Sequence, residues 1–166
     1  MDFRRKLVTL LAVMALPALS GCGFTPLYGA PGVTSGLAGV DVITPEGRTG
    51  HLLSEDLQDD LAINRGQAPL YRLALNVDEQ RYARGLSTEQ LATWYELSLK
   101  VSYSLIDIES GKTLTAGIMP VSVSYNAVGD PYAGIVAQQD GQKRAAAEVA
   151  QRIRIELAAY FASQGK

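Results

Sequence analysis

The chain has very few of the residues that build metal and catalytic centres. Its 166 residues include one cysteine and one histidine, so a zinc site of the Cys/His kind cannot be assembled. The sequence also lacks the glycine-rich loops that bind phosphates or dinucleotides and the glycine-rich turn that presents a nucleophilic serine. We therefore expect neither a metal nor a cofactor.

The remaining candidates for catalysis are the single histidine and one pair of acids. His51 lies at the start of a predicted helix, and we interpret it as a solvated helix-end residue. Asp59 and Asp60 are adjacent on that helix, so their side chains point in different directions and form a poor general acid and base pair. We expect a protein that is not an enzyme. The alternative, an envelope hydrolase centred on His51, predicts that His51→Ala abolishes the protein's effect in cells while leaving the fold intact.

The start of the chain has the three-part layout of a secretory signal peptide. Three basic residues precede an apolar run over residues 7–19, and the small residues Ser20 and Gly21 lead to Cys22. The apolar run has 13 residues and contains Pro17, whereas a helix that crosses a bilayer needs about 20 apolar residues. We predict that residues 1–21 are a cleaved signal peptide.

The remainder is long enough for one domain and is mildly acidic. Residues 1–21 hold three of the 15 basic and one of the 17 acidic residues, so the other 145 residues carry 12 against 16, a formal charge of −4. One domain of ordinary size is expected from this length. An acidic chain of this kind is not a nucleic-acid binder.

Hydrophobic periodicity predicts a two-layer α+β sandwich. Residues 22–36 are rich in glycine and proline and are interpreted as a flexible tether, leaving 37–166 as a single domain. We expect four mainly antiparallel strands packed against two helices, in the order β-α-β-β-β-α. The predicted elements cover residues 37–43 (strand), 49–64 (helix), 71–77, 95–105 and 121–125 (strands), and 131–163 (helix).

Two residues are expected to disturb these elements. Pro120 removes a backbone donor, so its strand should be bulged or lie at the edge of the sheet. Gly141 costs the last helix about 1 kcal/mol relative to alanine, so that helix should kink or begin there.

The exit of the signal segment resembles a lipobox. Leu19-Ser20-Gly21-Cys22 is similar to the site at which bacterial lipoproteins are cut and lipidated, which implies N-acyl and S-diacylglycerol groups on Cys22. A buried or disulfide-bonded cysteine is the alternative, but this chain has no second cysteine, and an unpaired thiol is unusual in an exported protein. The resemblance implies anchoring by three acyl chains, including palmitate, which would hold firmly. Gly23, next to the cysteine, resembles the signal for an outer-membrane destination.

The residues that follow the lipobox resemble a known family. Cys22-Gly23-Phe24-Thr25-Pro26-Leu27-Tyr28-Gly29 is similar to the mature start of the lipopolysaccharide-assembly lipoprotein family LptE, especially its alphaproteobacterial branch. Gly129-Asp130-Pro131-Tyr132-Ala133, followed by an amphipathic helix, resembles the helix that closes those proteins. The resemblance implies a lipid-anchored protein on the periplasmic face of the outer membrane. It also implies a non-catalytic plug of the β-barrel LptD that helps lipopolysaccharide reach the outer leaflet.

Arg81 and Arg84 are the best candidates for contacting lipopolysaccharide. They lie near the turn between two predicted strands, close to a tyrosine, and the planar guanidinium suits phosphate and carboxylate groups. The alternative is a hairpin tip that two charges keep soluble, because turns are usually polar. For the whole protein, the competing hypothesis is an envelope scaffold or chaperone for another outer-membrane or cell-wall partner.

Overall fold

The fold is taken from a computed structural model, which describes residues 32–63, 66–86, 92–127 and 131–164. The predicted signal peptide, Cys22 and residues 22–31 of the predicted tether lie outside these ranges. The elements in chain order are α1 Val33–Ala38, β1 Val40–Val42, α2 Gly47–Asp60, β2 Tyr71–Leu86, β3 Ala92–Asp107, β4 Thr113–Asn126 and α3 Pro131–Gln164.

The four strands form one sheet in the order β1-β2-β3-β4. β1 runs parallel to β2, and β2, β3 and β4 are antiparallel neighbours. Successive side chains of a strand point to opposite faces, and the apolar alternation of β3 therefore selects the face that is buried. On that face Leu97, Leu99 and Val101 are fully buried, whereas Ser98, Lys100 and Ser102 on the other face retain solvent exposure.

Helices α2 and α3 cover the apolar face. Leu53 and Leu57 of α2 and Ile153 and Leu157 of α3 are fully buried in the same core. Complete burial of such a side chain contributes about 1.5–3 kcal/mol. Alanines fill much of the rest of the α3 stripe, and their small side chains let the helix lie close to its neighbours. The prediction of a two-layer α+β sandwich is confirmed.

The beginning of the domain differs from the prediction. The tether was expected to reach residue 36 and the first strand to cover 37–43, but Val33–Ala38 is a helix and the strand is Val40–Val42. Val33 and Leu37 are four residues apart and share one face of α1, where both are buried. At Gly36 a Cβ atom would lie 2.6 Å from Cδ1 of Phe161 in α3. Packing against α3 therefore overrides the turn-forming composition of this segment.

Pro120 and Gly141, the two residues expected to disturb the regular elements, lie within an edge strand and within a continuous helix, respectively. Pro120 lies in β4, which is an edge strand as expected, while the irregularity in pairing falls between Leu105 and Ile106 of β3. Helix α3 runs through Gly141 instead of beginning there. A Cβ atom at Gly141 would lie 3.3 Å from Cδ1 of Tyr125, so the glycine allows a close approach between α3 and β4.

A carboxylate on the sheet joins the two long helices. Glu79 of β2 accepts a hydrogen bond from the Thr49 hydroxyl of α2 and another from Nε2 of Gln142 in α3, the latter at 2.8 Å. Thr49 and Gln142 are only 4% and 9% exposed. Both buried donors therefore depend on this one carboxylate.

We predict that Glu79→Ala lowers the free energy of unfolding by about 1–3 kcal/mol, because it leaves two buried donors without their acceptor. Urea denaturation measures the change. Asp78→Ala is the matched control, since it removes the same charge from an exposed neighbour on the other face and should change stability by less than about 0.5 kcal/mol. Equal effects of the two substitutions would contradict the role of Glu79.

Candidate functional site

The predicted lipopolysaccharide contacts lie at the end of β2, on opposite faces of the sheet. Arg81 pairs with Leu97 and Arg84 pairs with Trp94 in the register of β2 and β3. The two arginines are three residues apart, and side chains alternate along a strand, so they cannot share a face. The structure therefore provides two separate arginine environments instead of one anion clamp.

Arg81 lies on the face that carries the helices. Its Nη1 donates a hydrogen bond to Oε1 of Gln138 in α3 at 3.0 Å, and its guanidinium lies 5.1 Å from the ring centre of Tyr95. Tyr95 is in turn stacked on Tyr125, with 5.6 Å between ring centres. No carboxylate within the described parts of the chain lies at ion-pair distance from Arg81. Its positive charge is held in place by an amide and an aromatic ring rather than neutralised by an acid.

Arg84 lies on the other, open face and has an acidic partner. Its Nη2 and Nε are 2.9 and 3.0 Å from Oε2 of Glu96 on β3. The guanidinium also lies 5.5 Å from the ring centre of Tyr82. An incoming anion would have to compete with Glu96 for this guanidinium.

Exposed aromatic and aliphatic side chains accompany both arginines. Tyr82 and Trp94 are 44% and 39% exposed on the face of Arg84. On the side of Arg81, the exposed Ile135 precedes Gln138 by three residues and is therefore its neighbour on the helix surface. This end of the sheet can offer a cation and apolar surface together, the combination that an amphipathic anion such as a glycolipid requires.

Tyr95, Gln138 and Glu96 are not recognisable from the sequence as partners of the arginines. Gln138 lies 57 residues from Arg81 in the chain, and no local pattern links them. The strand register, once known, would have placed Glu96 beside Tyr82 and Trp94 beside Arg84.

His51 and Asp59 are exposed on α2, whereas Asp60 is half-buried. His51 lies in the first turns of α2 with its side chain 68% exposed, and its Nε2 is 3.3 Å from Oε1 of Glu55, one helical turn later. Its position agrees with the interpretation as a solvated helix-end residue. The described residues contain no group of three or more His, Cys, Asp or Glu side chains that could hold a metal ion.

An acidic depression lies between α2 and α3. It is lined by Asp56, Asp59, Asp60, Ala147, Gln151 and Arg154. Nη1 of Arg154 is 3.6 Å from Oδ1 of Asp60. Burial raises the pKa of Asp56 above its ordinary value, and the nearby Asp60 carboxylate raises it further. Ionisation of Asp56 is thus disfavoured by its place between the helices.

We predict that Asp56→Asn stabilises the protein at pH 7. A carboxyl whose pKa is higher in the folded than in the unfolded chain holds its proton more tightly when folded, so its ionisation lowers stability above that pKa. The advantage of the asparagine should disappear as the pH falls through the folded-state pKa towards the ordinary value of about 4. Thermal denaturation between pH 3 and 7, with Asp78→Asn as an exposed control, measures this. A less stable Asp56→Asn protein at pH 7 would contradict the prediction.

Comparison with known proteins identifies the family. The chain is 45% identical to a candidate lipoprotein of Caulobacter crescentus CB15 of known crystal structure, with a TM-score of 0.69 over 79% of this chain and 96% of that one. No family model matches the chain, and a search of curated proteins found no match. At this identity and coverage, the chain belongs to the same family of envelope lipoproteins as the Caulobacter protein.

More distant structures share the fold. A minor lipoprotein of Acinetobacter baumannii is 17% identical, with a TM-score of 0.55 over 72% of this chain and 88% of that one. Rare lipoprotein B of Shewanella oneidensis is also 17% identical, with a TM-score of 0.55 over 72% of this chain and 92% of that one. The domain is therefore similar in fold to lipoproteins from several bacteria. None of the helices among the described residues has the length and apolar character needed to cross a membrane.

Proposed function

We propose that this lipoprotein is of the LptE type, a non-catalytic plug of the outer-membrane β-barrel LptD that assists the passage of lipopolysaccharide to the outer leaflet. Acylated Cys22 would anchor it on the periplasmic face of the outer membrane. The observation that carries the proposal is the fold shared with rare lipoprotein B, which is LptE. The sequence from Cys22 to Gly29, which resembles the start of mature LptE proteins, supports the same assignment.

The open face of the sheet suits a position inside a barrel. Its side chains on β3 and β4 include five serines: Ser98, Ser102, Ser104, Ser122 and Ser124. The interior of an outer-membrane barrel is polar, and short hydroxyl side chains can approach such a wall closely while forming hydrogen bonds to it. A plug with this face against the barrel would bury little unsatisfied polar surface.

Arg81 is the stronger candidate for binding an anionic group of the glycolipid. Arg84 shares its charge with Glu96 at 2.9 Å, so binding an anion there replaces one ion pair by another. Arg81 is oriented by Gln138 and Tyr95 without an acid among the described residues, so an anion gains a charge-assisted hydrogen bond without that competition.

We predict that the protein, purified from its own outer membrane in mild detergent, retains a large β-barrel in stoichiometric amount. Mass spectrometry of the same sample should find N-acyl and S-diacylglycerol groups on Cys22. Recovery of the lipoprotein alone, or with a cell-wall component, would favour the scaffold hypothesis over the plug. An unmodified or uncleaved Cys22 would exclude the proposed anchor, whatever partner is found.

A paired substitution tests the open face as the contact with the barrel. Ser98 and Ser122 are opposite each other on β3 and β4. Replacing both with arginine should lower the recovery of the barrel by about tenfold or more, because burying unpaired charge costs more than about 1.4 kcal/mol. The control variant, Gln139→Arg/Ala159→Arg, adds the same charge at exposed positions of α3. Equal recovery with both variants would show that the open face does not meet the barrel.

We predict that Arg81→Ala weakens lipopolysaccharide binding by about tenfold, the loss expected for a charge-assisted hydrogen bond of about 1.4 kcal/mol. Arg84→Ala should weaken it by less than about threefold, because Glu96 already satisfies that guanidinium. Titration of purified protein with lipopolysaccharide at two salt concentrations measures both effects, and Arg72→Ala, an exposed arginine near the start of β2, is the control. Unchanged affinity and salt dependence in the Arg81→Ala/Arg84→Ala protein would rule out this site.

A further inference from the structure

Among the residues that the structure describes, no strand lies beside the outer edge of β4. β4 pairs with β3 on one side and is the last strand of the sheet. It is 14 residues long, which is long for an edge strand. Such an edge leaves backbone N–H and C=O groups unpaired and can pair with a strand of another molecule.

Pro120 removes one donor near the middle of this edge. It lies opposite Lys100 in the register of β3 and β4. Proline has no N–H group, and it is tolerated in edge strands where that group would have faced away from the sheet. Alternate residues of a strand direct their backbone groups to the same side, so Ser122 and Ser124 share the orientation of Pro120.

Two arginines of α3 donate hydrogen bonds to backbone carbonyl groups along the same edge. Nη1 of Arg152 donates to the Pro120 carbonyl at 3.0 Å, and Nη2 of Arg144 donates to the Ser124 carbonyl at 3.3 Å. The spacings match. Eight residues of helix rise about 12 Å, and four residues of strand extend about 13 Å, so α3 can place both guanidinium groups along β4 in one register.

Acidic residues one helical turn earlier hold the two arginines. Oδ2 of Asp140 is 2.8 Å from Nε of Arg144, and Oε1 of Glu148 is 2.5 Å from Nη2 of Arg152. These four side chains form two ion pairs along the helix. In each pair one guanidinium nitrogen contacts the acid and a different nitrogen donates to a β4 carbonyl. These arginines are positioned by the helix as well as by the strand.

We propose that Arg144 and Arg152, together with Pro120, close the edge of β4 against strand addition, and that removing both arginines opens this edge to a second copy of the chain. Pro120 blocks a donor, and the arginines occupy the acceptors on either side of Ser122. A second β4 approaching this edge would have to displace both guanidinium groups before its own N–H groups could pair. The proposal concerns association of the chain with itself and does not depend on a barrel partner.

The test compares the self-association of two double variants with that of the original protein. Each is purified from cells as the full chain and studied by sedimentation in a density-matched detergent. We expect Arg144→Ala/Arg152→Ala to dimerise at a concentration at least about tenfold lower than the original protein. Arg48→Ala/Lys143→Ala, which removes the same charge from exposed positions of α2 and α3, should behave like the original protein.

Hydrogen exchange and a rescue variant locate the new contact. If dimerisation uses the β4 edge, the outward-facing backbone amides of Ser122 and Ser124 should become protected only in the dimer. Adding Ser122→Pro to the alanine pair should restore the monomer, because it removes an outward-facing donor without breaking a bond to β3. Should the alanine pair fail to fold by circular dichroism, Arg144→Gln/Arg152→Gln keeps part of the aliphatic stems and allows the same comparison.

A monomeric, folded arginine-deficient protein over the concentration range in which dimerisation is expected would overturn the proposal. So would a dimer in which the amides of Ser122 and Ser124 remain unprotected, or one that Ser122→Pro does not dissociate, because the contact would then lie elsewhere.

Discussion

Strand β3 runs through the middle of the sheet, and its alternation of apolar and polar side chains is the constraint on which the rest of the fold depends. The apolar side chains of Leu97, Leu99 and Val101 are removed from water by packing with residues of α2 and α3. The serines between them are polar and can remain in contact with water. Because a strand has only two faces, covering one with helices leaves the other open, and every side chain of β2 and β4 is assigned to one environment or the other by its register with β3.

That assignment explains which functional predictions could be made from the sequence. Hydrophobic periods of two and 3.6 residues predict the strands, the two long helices and their arrangement in two layers. These periods can be recognised from residues that are close together in the sequence. Arg81 and Arg84 could be recognised as basic residues near a turn, but their separation onto two faces depends on how far β2 continues. The strand extends to Leu86, beyond the end of the apolar alternation at Val77, because cross-strand pairing with β3 maintains it where the hydrophobic pattern has ended.

The predictions of a tether up to residue 36 and of a strand over residues 37–43 were wrong for a different reason. Val33 and Leu37 lie in a glycine-rich segment whose composition favours turns, and a six-residue helix is too short to be stable alone. It forms because Gly36 allows the ring of Phe161 to approach the helix backbone. This contact joins residues 125 positions apart, so a reading of local sequence could not have supplied it. The same is true of Glu79, whose two partners come from helices on either side of it in the chain.

Helix α3 combines several of these functions because its sides meet different parts of the sheet. Its alanine and aliphatic stripe covers the core, Gln138 and Gln142 reach the polar groups of β2, and Arg144 and Arg152 reach around to the edge of β4. In the described part of the chain, these guanidinium groups occupy carbonyls at the edge of β4 and the helices cover one face of the sheet, whereas the serine-bearing face is open to a partner. A partner that lies on this face meets side chains rather than unpaired backbone. Such contacts depend on matching shape and hydrogen-bonding groups, which suits a partner with a defined polar wall better than another exposed strand.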